Sequence, residues 1–349
     1  MSVTRYYVSG NTAEGYINKL TSNVDTMTQI IYLNHPSKLL KTWIIKQIIE
    51  SYGKSPDLEI LCSSLSKEYI EGMIMRKKSM AIVDGCLDTG EFTWATRIDL
   101  TELKDANEQG MKALFSTASH INELLKKAYT QFEIGLRVHD DLEAIYIQEM
   151  DFDVADQMIA HFISQHVNTI PDKKSASHIY HRMFGTNTAE GAVNVASEIM
   201  YTIPERFILK GRAGTGKSVF MKRVTRACEQ KGLDIELYHC SFDPSSIDMV
   251  VVRDHFCMID GTDPHEMNPE RPTDIIIDLY EKTVTPGTDE KYAEQIHSVT
   301  KEYKSYMKEG MAFMKQAGRI CSKQENLYMQ MVPETTRQGM LTKVFEFLD

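Results

Sequence analysis

The chain has 349 residues, 42% of them apolar and 25% charged, with a formal net charge of −10; that is length enough for two cores and the composition of a globular protein, not of a disordered or fibrous one. No run of about 18 apolar residues occurs, which excludes a membrane-spanning helix, and the negative field repels nucleic acid and anionic lipid, so neither is expected as a partner. The start, MSVTRYYVSG, lacks a basic and apolar leader, and Cys62, Cys86, Cys228, Cys240, Cys257 and Cys321 show no CxxC spacing, so a cytoplasmic chain with reduced thiols and no zinc site is expected.

In chain order, the first predicted element is a short strand at 5–8, followed by NTAEG at 11–15 and a helical stretch. Apolar runs at 30–33, 58–62 and 80–84 read as strands, with a turn and a helix between the first two and Asp84 closing the third. Ile121, Leu124, Leu125, Ala128, Tyr129, Phe132, Leu136, Leu142 and Ile145 then recur at helical spacing, the pattern of a long amphipathic helix. Residues 165–177 carry Pro, Lys and Ser without apolar periodicity and read as a linker.

Beyond the linker the order repeats. NTAEG returns at 187–191, 176 residues after its first occurrence, and the same offset relates Lys41 and Thr42 to Lys217 and Ser218, and Asp84 and Gly85 to Asp260 and Gly261. Strands are predicted at 181–184, 206–210, 234–240 and 255–260, and Tyr303, Tyr306, Met307, Met311, Met314 and Ala317 form a second helical stripe. The expected fold is α/β: tandem duplicated P-loop NTPase domains at 1–168 and 180–349, joined by a linker at 169–179. Each would be a parallel sheet flanked by helices, with a long helical segment whose apolar stripe packs on its own domain or on its counterpart.

The P-loop assignment rests on GRAGTGKS, residues 211–218, which fits GxxxxGK[ST] between a strand-like and a helix-like run. Gly211, Gly214 and Gly216 let the backbone turn so that its N–H groups converge on a β-phosphate, and the positive end of the following helix adds to them. Arg212, Ala213, Thr215 and Val219 complete the expected nucleotide-binding stretch; Lys217 would neutralise the β/γ oxygens, and Ser218 would bind Mg²⁺. Asp260, delivered by FCMID, reads as a second Mg²⁺ ligand through water, or else as a strand-end cap of the next turn. Asp243 is a candidate to polarise a water or an acceptor hydroxyl, or else an N-cap for 245–249. His265 is a candidate γ-phosphate contact or a solvated loop side chain. Arg212, Arg253 and Arg76 are candidate cations for charge developing on the phosphate. In the first copy HPSKLLKT replaces the glycine loop: His35, Lys38 and Leu40 stand at the three glycine positions, where a side chain costs about 1–2 kcal/mol at positive φ. Nucleotide is therefore expected at the second copy alone.

HRMFGTNTAEGAV, ILKGRAGTGKS, ELYHCSFDPSSIDMVVVR, DGTDPHE and PGTDEKYAEQI give nearly the whole chain a resemblance to a family of bacterial proteins with two tandem P-loop domains, described as ATPases or nucleotide-kinase-like proteins. The resemblance implies an intact P-loop and a DGTAPH-like segment in both copies. This chain departs from that in its first copy, through HPSKLLKT and through CLDTGE after Asp84 and Gly85. The expectation is a Mg·ATP-binding protein that hydrolyses ATP in its second copy to move the helical segments or the inactive first copy, with a protein partner as stimulator. Two rival readings stay open: a kinase passing the γ-phosphate to a small molecule or nucleotide, and a nucleotide-responsive scaffold without turnover.

Overall fold

The computed structural model describes residues 3–53, 57–101, 108–263 and 266–348. The first half contributes β1 (Thr4–Tyr7), β2 (Ser9–Thr12), β3 (Gly15–Asn18), α1 (Thr21–Val24), β4 (Gln29–Asn34), α2 (Lys38–Tyr52), β5 (Leu58–Cys62), β6 (Ile70–Met75), β7 (Met80–Asp84), β8 (Thr96–Asp99), α3 (Glu108–Ile147) and α4 (Phe152–Phe162). The second contributes β9 (Ile179–Met183), β10 (Gly185–Thr188), β11 (Gly191–Asn194), α5 (Ala196–Met200), β12 (Glu205–Lys210), α6 (Lys217–Gln230), β13 (Ile235–His239), β14 (Ile247–Val252), β15 (Phe256–Asp260) and β16 (Asp274–Asp278). It closes with α7 (Leu279–Thr283), α8 (Thr288–Lys291), α9 (Ala293–Met331) and α10 (Glu334–Phe345).

Twelve strands form one sheet in the order β16-β12-β15-β14-β13-β9-β1-β5-β6-β7-β4-β8. Followed inward from its two ends, the order is matched: each first-half strand stands where the second half has the strand eight places later in the chain. The halves meet at the antiparallel contact of β1 with β9, through Tyr7 and Met183.

The expected parallel sheets are in fact mixed. β6 and β14 were not foreseen, and each runs antiparallel to both of its neighbours. The connections into and out of them have only three to seven residues, whereas a parallel neighbour needs a crossover of about a dozen or more. IEGMIM and IDMVVV are buried along their whole length, so no alternation marks them in the sequence.

The stretch after NTAEG is likewise corrected, from helix to hairpin. β2 pairs with β3 and β10 with β11 around the tight Ala-Glu turn. Thr12 Oγ1 donates to Gly15 O and accepts from Glu14 N–H, and Gly15 takes a positive φ of 94°, which together close a turn and stop a helix from starting. The buried asparagines of the two motifs then lock the halves together. Asn11 Nδ2 donates to Ser64 O (2.8 Å) and to Asn187 O (2.9 Å); Asn187 Nδ2 donates to Asn11 O (2.9 Å) and to Ser241 O (3.0 Å). Asn11→Ala strands two buried carbonyls and is expected to cost about 1–3 kcal/mol, read as a lowered urea midpoint; an unchanged midpoint would show that the exchange contributes nothing.

On one face of the sheet a single core draws on both halves, with Tyr6, Ile30 and Tyr32 beside Phe184, Ile208 and Tyr238. The opposite face has two cores. Ile44 and Ile48 of α2 meet Met340 and Val344 of α10 on the first half, while Ile159 and Phe162 of α4 meet Phe220 and Val224 of α6 on the second. Helix α10 thus covers the first half, and α4, which precedes the expected linker, covers the second.

The exchange is carried by α3 and α9, which lie antiparallel with their predicted stripes facing each other. Ile121 and Leu124 pack on Ala317 and Cys321, Ala128 and Phe132 on Met314, and His139 on Tyr303. Gly310 is needed for this approach, since a Cβ there would stand 2.4 Å from Phe132 Cε1. Of the predicted linker, residues 163–167 extend α4 as a wide helical turn, and 171–176 are exposed coil. No helix among the described residues is long and apolar enough to cross a membrane.

Candidate functional site

β12 lies between two parallel neighbours, β15 and β16, so the loop 211–218 leaves the carboxyl edge of the sheet beside Asp260, where open α/β sheets bind ligands. Gly214 and Gly216 hold φ of 73° and 82°, the left-handed region that favours glycine. A Cβ on Gly211 would fall 2.3 Å from Thr215 Oγ1, which itself donates to Arg212 O. Helix α6 opens without a capping side chain, leaving its positive end towards the loop.

Under the loop lies the buried Lys217, whose Nζ donates to Arg212 O (2.7 Å) and stands 3.8 Å from Asp260 Oδ2. Ser218 Oγ accepts the Ile247 N–H at 2.9 Å. Asp260 Oδ1 accepts from Thr262 N–H and Oγ1. The hydroxyl keeps a lone pair and Asp260 keeps its second oxygen, so this donor set fits a hard divalent cation completed by water.

The other expected residues divide. Asp243 accepts the Ser245 N–H at 2.9 Å and caps no helix, because the segment runs straight into β14. Val219 is 55% exposed. Arg212 pairs with Asp289 at 2.9 Å and lies over the Tyr280 ring. Arg76 and Arg253 are bound to Glu59 and Glu236 at the opposite end of the strands from Asp260. His265 lies outside the described residues.

Asp248 was missed. The register of Met249 with Ile259 sets it opposite Asp260 across β14 and β15, on the same face of the sheet. Burial, then the Asp260 charge, pushes its carboxyl up to about 7. The signal was available: Asp248 is the acidic residue of IDMVVV, at the place where IEGMIM of the first half has Glu71. The end of α3 was missed as well, and no motif marked it. Tyr146 donates to Asp289, while Lys291 and Tyr292 donate to Glu149.

The corresponding place in the first half is closed by the protein itself. Thr42 Oγ1 accepts the Ile70 N–H at 3.0 Å, as Ser218 accepts that of Ile247. Lys41 Nζ is spent on the buried Asp84 at 2.6 Å. Ser37 caps α2, and Glu325 from α9 accepts from Ser37 Oγ (2.6 Å), Lys38 N–H (2.9 Å) and Leu39 N–H (3.0 Å). Burial, then the Lys41 charge, lowers the His35 pKa to about 4. Beside it lies a cavity of about 530 Å³, lined by His35, Lys38, Lys41, Cys86, Asp99 and Thr101. Among the described residues no group of three His, Cys, Asp or Glu side chains is arranged to hold a metal ion. Compared with family models, with curated proteins and with solved structures, the chain has no match.

Proposed function

We propose that the loop 211–218 binds the phosphates of ATP together with Mg²⁺, and that the chain hydrolyses the nucleotide at this one loop. The observation that carries the reading is a glycine-shaped turn over a buried lysine, 3.8 Å from a carboxylate on the adjacent parallel strand. The loop N–H groups and Lys217 would take the β and γ oxygens. Mg²⁺, held by Ser218 and through water by Asp260, would supply further neutralisation of those oxygens. Asp248, with a carboxyl that ionises near neutral pH, would accept the proton of the water that attacks the γ-phosphorus as ADP leaves.

The halves read as two copies of one P-loop unit, a reading supported by the 176-residue offset and the matched strand order. In the first copy Asp84 engages the lysine and Glu325 engages the N–H groups, so that copy would bind no nucleotide. Binding without turnover is the second reading, favoured by the close approach of α3 to Gly214.

The test is Mg²⁺-dependent ATP binding by calorimetry, with phosphate release, for wild type, Lys217→Ala and Lys41→Met. Lys217→Ala is expected to weaken binding about a hundredfold and abolish release, and Lys41→Met to keep both. Binding without release favours the second reading. Equal losses in the two variants would sink the single-site assignment.

A further inference from the structure

Each loop is met by a long helix that follows the other half's strands, and the two meetings differ in one respect. Glu325 stands 182 residues after Glu143, the offset that also relates residues 145–148 to 327–330. In the first half the Glu325 carboxylate, 5% exposed, is bound to the N–H groups of Lys38 and Leu39. Their counterparts 176 residues on are Gly214 and Thr215. Glu325 is thus an anion seated on N–H groups that correspond to part of the glycine loop.

In the second half α3 comes down at the matching place. A Cβ on Gly214 would lie 2.6 Å from Glu143 O and 2.9 Å from Glu143 Cα. The end of the helix is fastened to the loop itself through Tyr146, Asp289 and Arg212. Thr285 N–H, donating to Glu149 O at 2.9 Å, secures it further. The Glu143 side chain faces His139 at 3.7 Å rather than the loop, so the strap is in place while its carboxylate is not seated.

We propose that Glu143 and the end of α3 form a strap over the loop 211–218 that competes with the nucleotide's phosphates and is lifted when ATP binds, with Glu325 as the permanently closed version. The proposal rests on the reading of that loop as a nucleotide site. A tethered carboxylate beside the phosphate-binding N–H groups repels the ligand and favours the covered state, and the ligand's apparent affinity falls by the fraction of protein that is uncovered.

The experiment titrates Mg·ATP and adenosine into full-length wild type, Glu143→Gln and Lys217→Ala, and follows hydrogen exchange of residues 140–150 in the wild type with and without ATP. Glu143→Gln keeps the shape and removes the charge, and ATP affinity is expected to rise about tenfold while adenosine binding stays unchanged. ATP is expected to speed exchange across 140–150. If wild type binds ATP, Lys217→Ala does not, and Glu143→Gln is no tighter with exchange unaltered, the strap is wrong and the site stands. Unchanged affinity with slower phosphate release in Glu143→Gln would make Glu143 part of the chemistry and equally overturn the strap. If neither wild type nor Glu143→Gln binds ATP, the site and the strap fall together.

Discussion

Asp248→Asn is expected to slow phosphate release about 10²–10⁴-fold, the usual worth of a general base, while leaving ATP affinity within a few-fold. Asp248 faces Asp260 across the ladder, and its neighbour Ile247 holds Ser218 through its N–H. The isosteric amide keeps that backbone bond and the cation ligands but cannot accept a proton from water. In the wild type, release should rise with pH through about 7, as burial and the Asp260 charge dictate.

The same substitution has an opposite effect on stability. Asp248 is raised from 3.8 to about 7 in the folded chain, so between those values the folded state holds the proton more tightly than the unfolded state does. Its contribution is therefore present at low pH and is lost as pH rises through the folded value. Asp248→Asn should raise the urea midpoint clearly at pH 8 and hardly at pH 5. An equal gain at both, or unaltered turnover, would contradict the role assigned here.

Glu236→Gln is expected to destabilise the fold by about 3–5 kcal/mol, because it leaves a buried arginine short of its partner. At the seam Arg182 lies 2.8 Å from Glu236 and 3.8 Å from Glu59, with its guanidinium over the Tyr6 ring. Each carboxylate is also held by an arginine of its own half, Glu236 by Arg253 and Glu59 by Arg76, and by a tyrosine hydroxyl, of Tyr238 and Tyr6 respectively. The shorter distance makes Glu236 the principal counter-charge, so Glu59→Gln should cost less.

Burial alone would raise both carboxyls, but the arginines outweigh it and hold them below the ordinary range. Stability from a depressed carboxyl is present above the unfolded pKa and is lost as pH falls through the folded value. The penalty of Glu236→Gln should thus be full at pH 7 and shrink in acid, as urea midpoints across that range would show. If Glu59→Gln proves the costlier change, Arg182 does not set the energy of the seam.

What the sequence disclosed follows from where the physics is local. The glycine loop, the strand ending on Asp260 and the stripes of α3 and α9 are fixed by residues close together in the chain, and they were legible. Strands β6 and β14 were not, because burial on both faces removes the alternation that marks a strand. NTAEG was visible as a repeat but misjudged, since its structure depends on Asn11 and Asn187 meeting across 176 residues. Glu325 and Glu143 lie in helical sequence with nothing to set them apart; only the antiparallel course of α3 and α9 brings each to a loop formed by the other half.

The crossing of those two helices also sets a timetable for synthesis. The apolar side of the first half, including Ile44, Ile48 and Met73, is covered by Met340 and Val344, from almost the last residues made. At ribosomal rates of about 5–20 residues per second, roughly 12–50 s pass between completion of β8 and arrival of α10. Throughout that interval the emerging chain carries an uncovered sheet face, the condition in which nascent proteins engage chaperones or aggregate. Contacts so far apart in sequence also slow the final docking, so a chain truncated before residue 334 would hold most of its strands and still lack the cover of its first core.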